Sequence, residues 1–326
     1  MNLRRPAVFA LVVLLSGACS GGDSSSEAAP KGSTTSSSAV AGARIDAQIA
    51  SYDLVTGRPQ RVLIGLVGSN GRLVSGGKIE VFFAHLGKGQ GSSGTGTLGE
   101  PYEARFQPVV GSVAPEGGPK LTRPSEGIGI YAIDQALFDK AGRWGVIANV
   151  SFGTTKVTAQ GTFDVADRSR IPGPGDPAPV TDNPLPGAAG VEAKAIDSRA
   201  EGEGVPDRLL HSMSVASARQ QNLPAVVVVS TPVYCVSRFC GPITESVETL
   251  ATEFEGQAAF VHLEVWQNFE KKQVNEFVAD WVYPDRKGDL LEPWVFVVGR
   301  DGTITHRFDN IAGDDELRAA VAQVTA

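Results

Sequence analysis

Between residues 43 and 165 apolar positions fall in short runs separated by Gly, Pro, Asn and Ser, a pattern that predicts strands at 61–67, 78–84, 103–109, 127–133, 143–150 and 157–165. Asn70-Gly71 and Ser75-Gly76-Gly77 are turn signals on either side of 72–74. No helical spacing competes over this stretch, and strands at such even intervals predict an all-β antiparallel sandwich. After Asp207 the periods change. Residues 209–220 have helical spacing, 225–229 form a continuous Val-rich run of the kind buried on both faces of a sheet, and Ile243, Val247, Leu250 and Phe254 recur at helical intervals. A strand at 259–265, a short helix at 274–281, a hairpin at 294–298 and 303–308 around Gly299-Arg300-Asp301-Gly302, and an amphipathic helix at 315–324 complete an α/β order.

Two stretches lack either period. Residues 20–40 are mostly Gly, Ser, Thr and Ala, with too little apolar surface to offset the entropy of ordering, and are expected to form a flexible tether. Residues 167–205 are rich in Pro, Gly, Ala and Asp, including Ile171-Pro172-Gly173-Pro174-Gly175-Asp176-Pro177, and predict a stiff connector without regular structure. Within it, Ile196-Asp197-Ser198-Arg199 is the part best suited to pack against the α/β segment. The expected organisation is a leader at 1–18, a tether at 19–42, a β domain at 43–166, a linker at 167–205 and an α/β domain at 206–326. The net charge of −7 belongs to the last of these, where ten Lys and Arg face seventeen Asp and Glu, which argues against nucleic acid as a partner.

The chain opens with Arg4 and Arg5, an apolar run at 7–15, and the small residues Ser16-Gly17-Ala18 before Cys19, which together read as an export signal. The run is shorter than the roughly 20 apolar residues a membrane-spanning helix needs. Leu15-Ser16-Gly17-Ala18-Cys19 resembles the lipobox of bacterial lipoproteins, with Ser16 where that motif prefers a large aliphatic residue. The resemblance implies lipidation of Cys19 and an exported protein anchored at the outer face of the cell membrane. The strand pattern at 43–166 resembles, in architecture only, the immunoglobulin-like domains of exported bacterial proteins, and implies a spacer or docking module.

With Cys19 used for lipidation, Cys235 and Cys240 have only each other, at the junction between an apolar strand and a helical pattern. Pro242 suits the first turn of a helix, so Cys240 is expected at or just before a helix N-terminus, where unpaired N–H groups and the helix dipole stabilise a thiolate. Cys240 is therefore the expected nucleophile and Cys235 the resolving thiol, with Arg238 as a further source of positive charge. Cys240-Gly241-Pro242-Ile243 resembles the thioredoxin family's Cys-Gly-Pro-Cys with Ile in the last place, and Glu292-Pro293-Trp294 stands where that family has its cis-proline. Over 206–326 the resemblance implies a thioredoxin-like α/β fold, a mixed central sheet flanked by helices. It also implies that Gly241, Pro242, Glu292, Pro293 and Trp294 support the site. The implied chemistry is disulfide exchange with a protein disulfide or dithiol partner in the cell envelope, without cofactor or metal. The second cysteine lies upstream of the motif, so potential and direction do not transfer.

Two other readings share these residues. A Cys235–Cys240 disulfide equally suits a staple in a non-enzymatic envelope binding or scaffold protein. Copper chaperones of the Sco type, which the paired cysteines also resemble, use three intervening residues and a downstream histidine, whereas here His262 lies within the strand at 259–265 and His306 on the hairpin. His85 has no second ligand near it in sequence, and His211 reads as a partly packed surface residue. Glu264 and Glu292 are candidate proton carriers. Trp266, Trp281 and Trp294 suit either a partner surface or the core.

Overall fold

The computed structural model describes residues 44–69, 71–87, 96–109, 111–125, 129–235, 237, 239–286 and 289–326; the leader, Cys19, the tether and Arg238 lie outside the described residues. The first half of the chain is built from β1 (Ile45–Ile49), β2 (Gln60–Gly68), β3 (Leu73–Ser75), β4 (Lys78–Gly87), β5 (Tyr102–Pro108), β6 (Lys120–Thr122), β7 (Gly129–Ala136), β8 (Gly142–Phe152) and β9 (Thr155–Val165). Alternation drives them: in β8, Trp144, Val146, Ala148 and Val150 are buried on one face.

The strands pair in the order β1-β9-β8-β4-β5-β7-β2, and β1 also pairs with β2 from Ile45↔Gly68 to Ile49↔Ile64. Seven strands thus close on themselves, with β3 and β6 continuing the sheet beyond β2. Closure runs through a parallel contact of β1 with β9 at Asp46↔Gln160. Gly161 makes that approach feasible, because a Cβ there would run into the carbonyl of Ala47. Ile64, Val81, Phe83, Tyr131, Phe138 and Trp144 fill the interior. The expected immunoglobulin-like sandwich is therefore corrected to a closed β-barrel. Inward and outward residues alternate in both architectures, and only the long-range pairing of β1 separates them.

The second sheet has the order β11-β10-β14-β15, formed by β10 (Ala225–Ser230), β11 (Ala259–Glu264), β14 (Trp294–Val298) and β15 (Ile304–Asp309). β10 runs parallel to β11 and antiparallel to β14. A two-stranded ribbon, β12 (Trp266–Asn268) with β13 (Gln273–Val274), leaves the end of β11. The helices are α1 (Val215–Gln220), α2 (Cys240–Glu253), α3 (Glu276–Val282) and α4 (Asp314–Thr325). Every residue of β10, β11 and β14 is buried, as a sheet covered on both faces requires. One face lies under α2 and α4 through Val247, Leu250, Leu317 and Val321. The other is covered by α1 and α3 together with Ile171, and Tyr52 reaches it from the barrel side.

The thioredoxin-like assignment is corrected as well. The described chain is predominantly β and organised around the closed barrel, and the helices on the second sheet are few, α1 and α3 having 6 and 7 residues. Buried Val-rich strands are common to any sheet covered on both faces, so they do not discriminate between such folds. Residues 166–214 hold no strand or α-helix, yet they pack on the second sheet: Ile304 N–H donates to Asp176 O (2.9 Å) and Ala178 N–H to Gly302 O (2.9 Å). Barrel and sheet belong to one compact unit, tied by Arg61–Glu316 at 2.8 Å, Arg307–Asp53 at 2.9 Å and the Tyr52 N–H on Asp309 Oδ2 at 2.6 Å.

Candidate active site

The loop after β10 returns to the start of α2 and closes a disulfide between Cys235 and Cys240, with Cα atoms 5.9 Å apart. Pro242 falls in the first turn of α2, where its missing N–H costs nothing. Cys240 is the first residue of that helix and is 0 % exposed, whereas Cys235 is partly exposed. The Cys240 N–H donates to Cys235 Sγ (3.3 Å), and Ser237 Oγ lies 3.2 Å from the same sulfur. The first N–H of α2 therefore meets the sulfur of Cys235 directly.

Glu292 lies beside the disulfide, its carboxyl and the two sulfurs within 4.8 Å of one another. The Glu292–Pro293 peptide is cis. The Glu292 carbonyl accepts from Ser237 Oγ (3.3 Å) and from the Tyr52 hydroxyl (3.0 Å), so a barrel-side residue braces the disulfide loop. Burial, and then the charge of Glu264, push the Glu292 carboxyl up to about 7. Glu264 is itself fully buried and raised by burial; it accepts Ser198 N–H (2.8 Å) and Trp266 N–H (3.1 Å). Burial likewise pushes the Tyr52 hydroxyl above its ordinary range, which keeps it a neutral donor.

Of the residues singled out from the sequence, Cys235, Cys240, Pro242, Glu292 and Pro293 meet at this corner. Trp294 opens β14, is buried, and packs its ring edge-on to Tyr52 at 5.5 Å. Gly241 has open space where a Cβ would stand. Trp281 is core, its Nε1 donating to Thr181 Oγ1 (2.8 Å). Trp266 is half-buried on the ribbon, near a stack of Tyr234 on Phe269 at 4.1 Å beside the disulfide loop. His85 lies against Trp144, with Nε2 3.2 Å from Ala141 O. His211 is buried rather than at the surface, at 4 % exposure. Tyr52 and Ser237 carry no sequence signal as site residues; Tyr52 is 240 positions from the carbonyl it braces.

Compared with known proteins, the chain matches no family model and no curated relative.

Proposed function

We propose that this chain is an extracytoplasmic thiol–disulfide exchange protein, exported by its leader and held at the membrane by lipid on Cys19, with Cys235 as the accessible sulfur and Cys240 as its buried partner. The observation that carries the reading is the asymmetry of the pair: Cys235 is partly exposed and its sulfur accepts the first N–H of α2, while Cys240 is fully buried. These roles exchange those expected from sequence, because the loop brings the upstream sulfur to the helix end.

In the disulfide form a partner thiolate attacks Cys235 Sγ; the S–S bond breaks, a mixed disulfide forms, and the electron pair leaves on Cys240 sulfur. The Glu292 carboxylic acid, half-protonated near neutral pH, supplies the proton to that thiolate. A second thiolate of the partner then attacks its own sulfur in the mixed disulfide and releases Cys235. The partner dithiol is oxidised by two electrons and the protein disulfide reduced. In reverse, Cys235 thiolate attacks a partner disulfide and Glu292 carboxylate takes the Cys240 proton.

A second reading, a structural staple in a non-enzymatic envelope scaffold, is favoured by the complete burial of Cys240. The experiment is titration of the folded chain with a dithiol, together with Cys240→Ser and Cys235→Ser variants offered glutathione disulfide. Exchange predicts reduction without unfolding, a stable mixed disulfide on Cys235 in Cys240→Ser, and little reaction in Cys235→Ser. A disulfide that resists reduction until the chain unfolds leaves the staple.

A further inference from the structure

A second cluster lies away from the sulfurs, where the irregular segment before α1 folds against β11. Asp197, His211 and His262 are 0 %, 4 % and 2 % exposed. His211 closes a 3₁₀ turn at Arg208–His211, His262 lies in β11, and Asp197 follows another such turn at Ala193–Ala195. The hydrogen bonds assign the ring protons. His211 Nδ1 faces two carbonyl oxygens, Pro206 O at 2.9 Å and Asp207 O at 3.1 Å, so this nitrogen carries the proton and Nε2 a lone pair. His262 Nε2 faces Ser230 O at 3.3 Å, which leaves the lone pair of the neutral ring on Nδ1.

Those two lone-pair nitrogens are 3.2 Å apart, and Asp197 Oδ2 lies 3.3 Å from His262 Nδ1 and 3.7 Å from His211 Nε2. Three acceptors thus converge with no donor among them. A circle through three points at those separations has a radius of about 2.0 Å, which matches zinc bonds to imidazole nitrogen and carboxylate oxygen of about 2.0–2.2 Å. The outer partners fit the same purpose. Each ring donates its far N–H to a backbone carbonyl, the usual support of a ligating histidine. Arg199 holds Asp197 through Nε on Oδ1 (3.1 Å) and Nη2 on Oδ2 (2.7 Å), and also pairs with Asp207.

We propose that Asp197, His211 and His262 bind one divalent transition-metal ion of the zinc class, through Oδ2, Nε2 and Nδ1 respectively, and that this ion clamps the irregular segment at 193–211 onto β11. Two imidazoles with one carboxylate suit zinc and its first-row neighbours rather than calcium or magnesium. The site is independent of the disulfide and of the exchange chemistry proposed for it. A proton on His262 is the competing occupant, since an imidazolium there would donate to both His211 and Asp197.

The test uses the full chain with its disulfide intact, stripped with a chelator and titrated with Zn²⁺ against a chromophoric competitor, then with Co²⁺ followed by visible absorption. The expected result is one zinc per chain and a tetrahedral cobalt spectrum without thiolate charge-transfer bands. Binding should be retained in the Cys235→Ser/Cys240→Ser double variant and weakened at least a hundredfold in His211→Gln and His262→Gln. Should either histidine variant fail to fold, the imidazole nitrogen resonances of the parent carry the test, and His211 Nε2 and His262 Nδ1 should shift on zinc addition. No uptake by the folded chain, unchanged binding in folded histidine variants, loss of binding in the cysteine double variant, or unmoved imidazole resonances would overturn the proposal.

Discussion

Glu292 is 9 % exposed, and burial together with Glu264 holds its carboxyl near 7, against an ordinary value of 4.5. The folded chain therefore keeps a proton that the unfolded chain releases. Stability from this group is fully present below about pH 4.5 and is lost as pH rises through 7, by at most about 3 kcal/mol. Denaturant midpoints measured from pH 4.5 to 8 should show that decline, and Glu292→Gln should flatten it. The same substitution should slow reaction of the disulfide with a small dithiol about a hundredfold and remove a rate inflection near 7; an unchanged inflection would assign the proton transfer to another group. Other buried charges are settled by their neighbours. Burial alone would raise the Asp197 carboxyl, but the adjoining His262 ring and the paired Arg199 guanidinium outweigh it and hold it below the carboxylate range. Sequence position marked Glu292 as a candidate proton carrier, but the shifts at Glu292 and Asp197 arise only from what surrounds them.

Among the elements, β10, β11 and β14 form one fully buried layer, and α2 and α4 seal one side of it. Leu317 on α4 is 0 % exposed within that seal, so Leu317→Ala should destabilise the chain by about 2–5 kcal/mol, read from chemical denaturation, as cavity-forming substitutions do. Most strands and helices of this half lie near where periodicity predicts them, 225–229 as Ala225–Ser230 and 315–324 as Asp314–Thr325, whereas the helix expected at 209–220 is a 3₁₀ turn at Arg208–His211 followed by the six-residue α1. In the barrel the six strands expected from alternation are present, while the short β1, β3 and β6 were missed. Strands of 3 to 5 residues carry too few alternations to stand out, although β1 is the strand that closes the ring.

At the scale of the molecule, the barrel and the second sheet are joined by side chains that neither half needs for its own core. Arg307 on β15 is 9 % exposed and reaches Asp53, which precedes β2, at 2.9 Å, while its guanidinium lies 5.2 Å from the Trp294 ring centre. Removing it leaves a half-buried carboxylate without its cation, so Arg307→Ala should cost about 3 kcal/mol. Thermal unfolding followed by calorimetry and by tryptophan fluorescence should remain a single transition in the parent chain. Two separate transitions would mean that the halves fold independently and that the brace from Tyr52 to the disulfide loop has no mechanical role.

The sequence by itself determined where the longer strands and most helices lie, that 167–205 lacks regular strands and α-helices, and that Cys235 and Cys240 lie at a strand-to-helix junction. Each of these depends on neighbours within a few positions, through a side-chain period of 2 or 3.6 or through the backbone preferences of Gly and Pro. Tertiary structure alone decided that the first half closes as a barrel, that Cys240 is buried while Cys235 is partly exposed, and that ring nitrogens of His211 and His262, 51 residues apart, meet at one carboxylate. Strand pairing, burial and the convergence of polar atoms depend on which distant surfaces meet, and local periodicity carries no record of that choice.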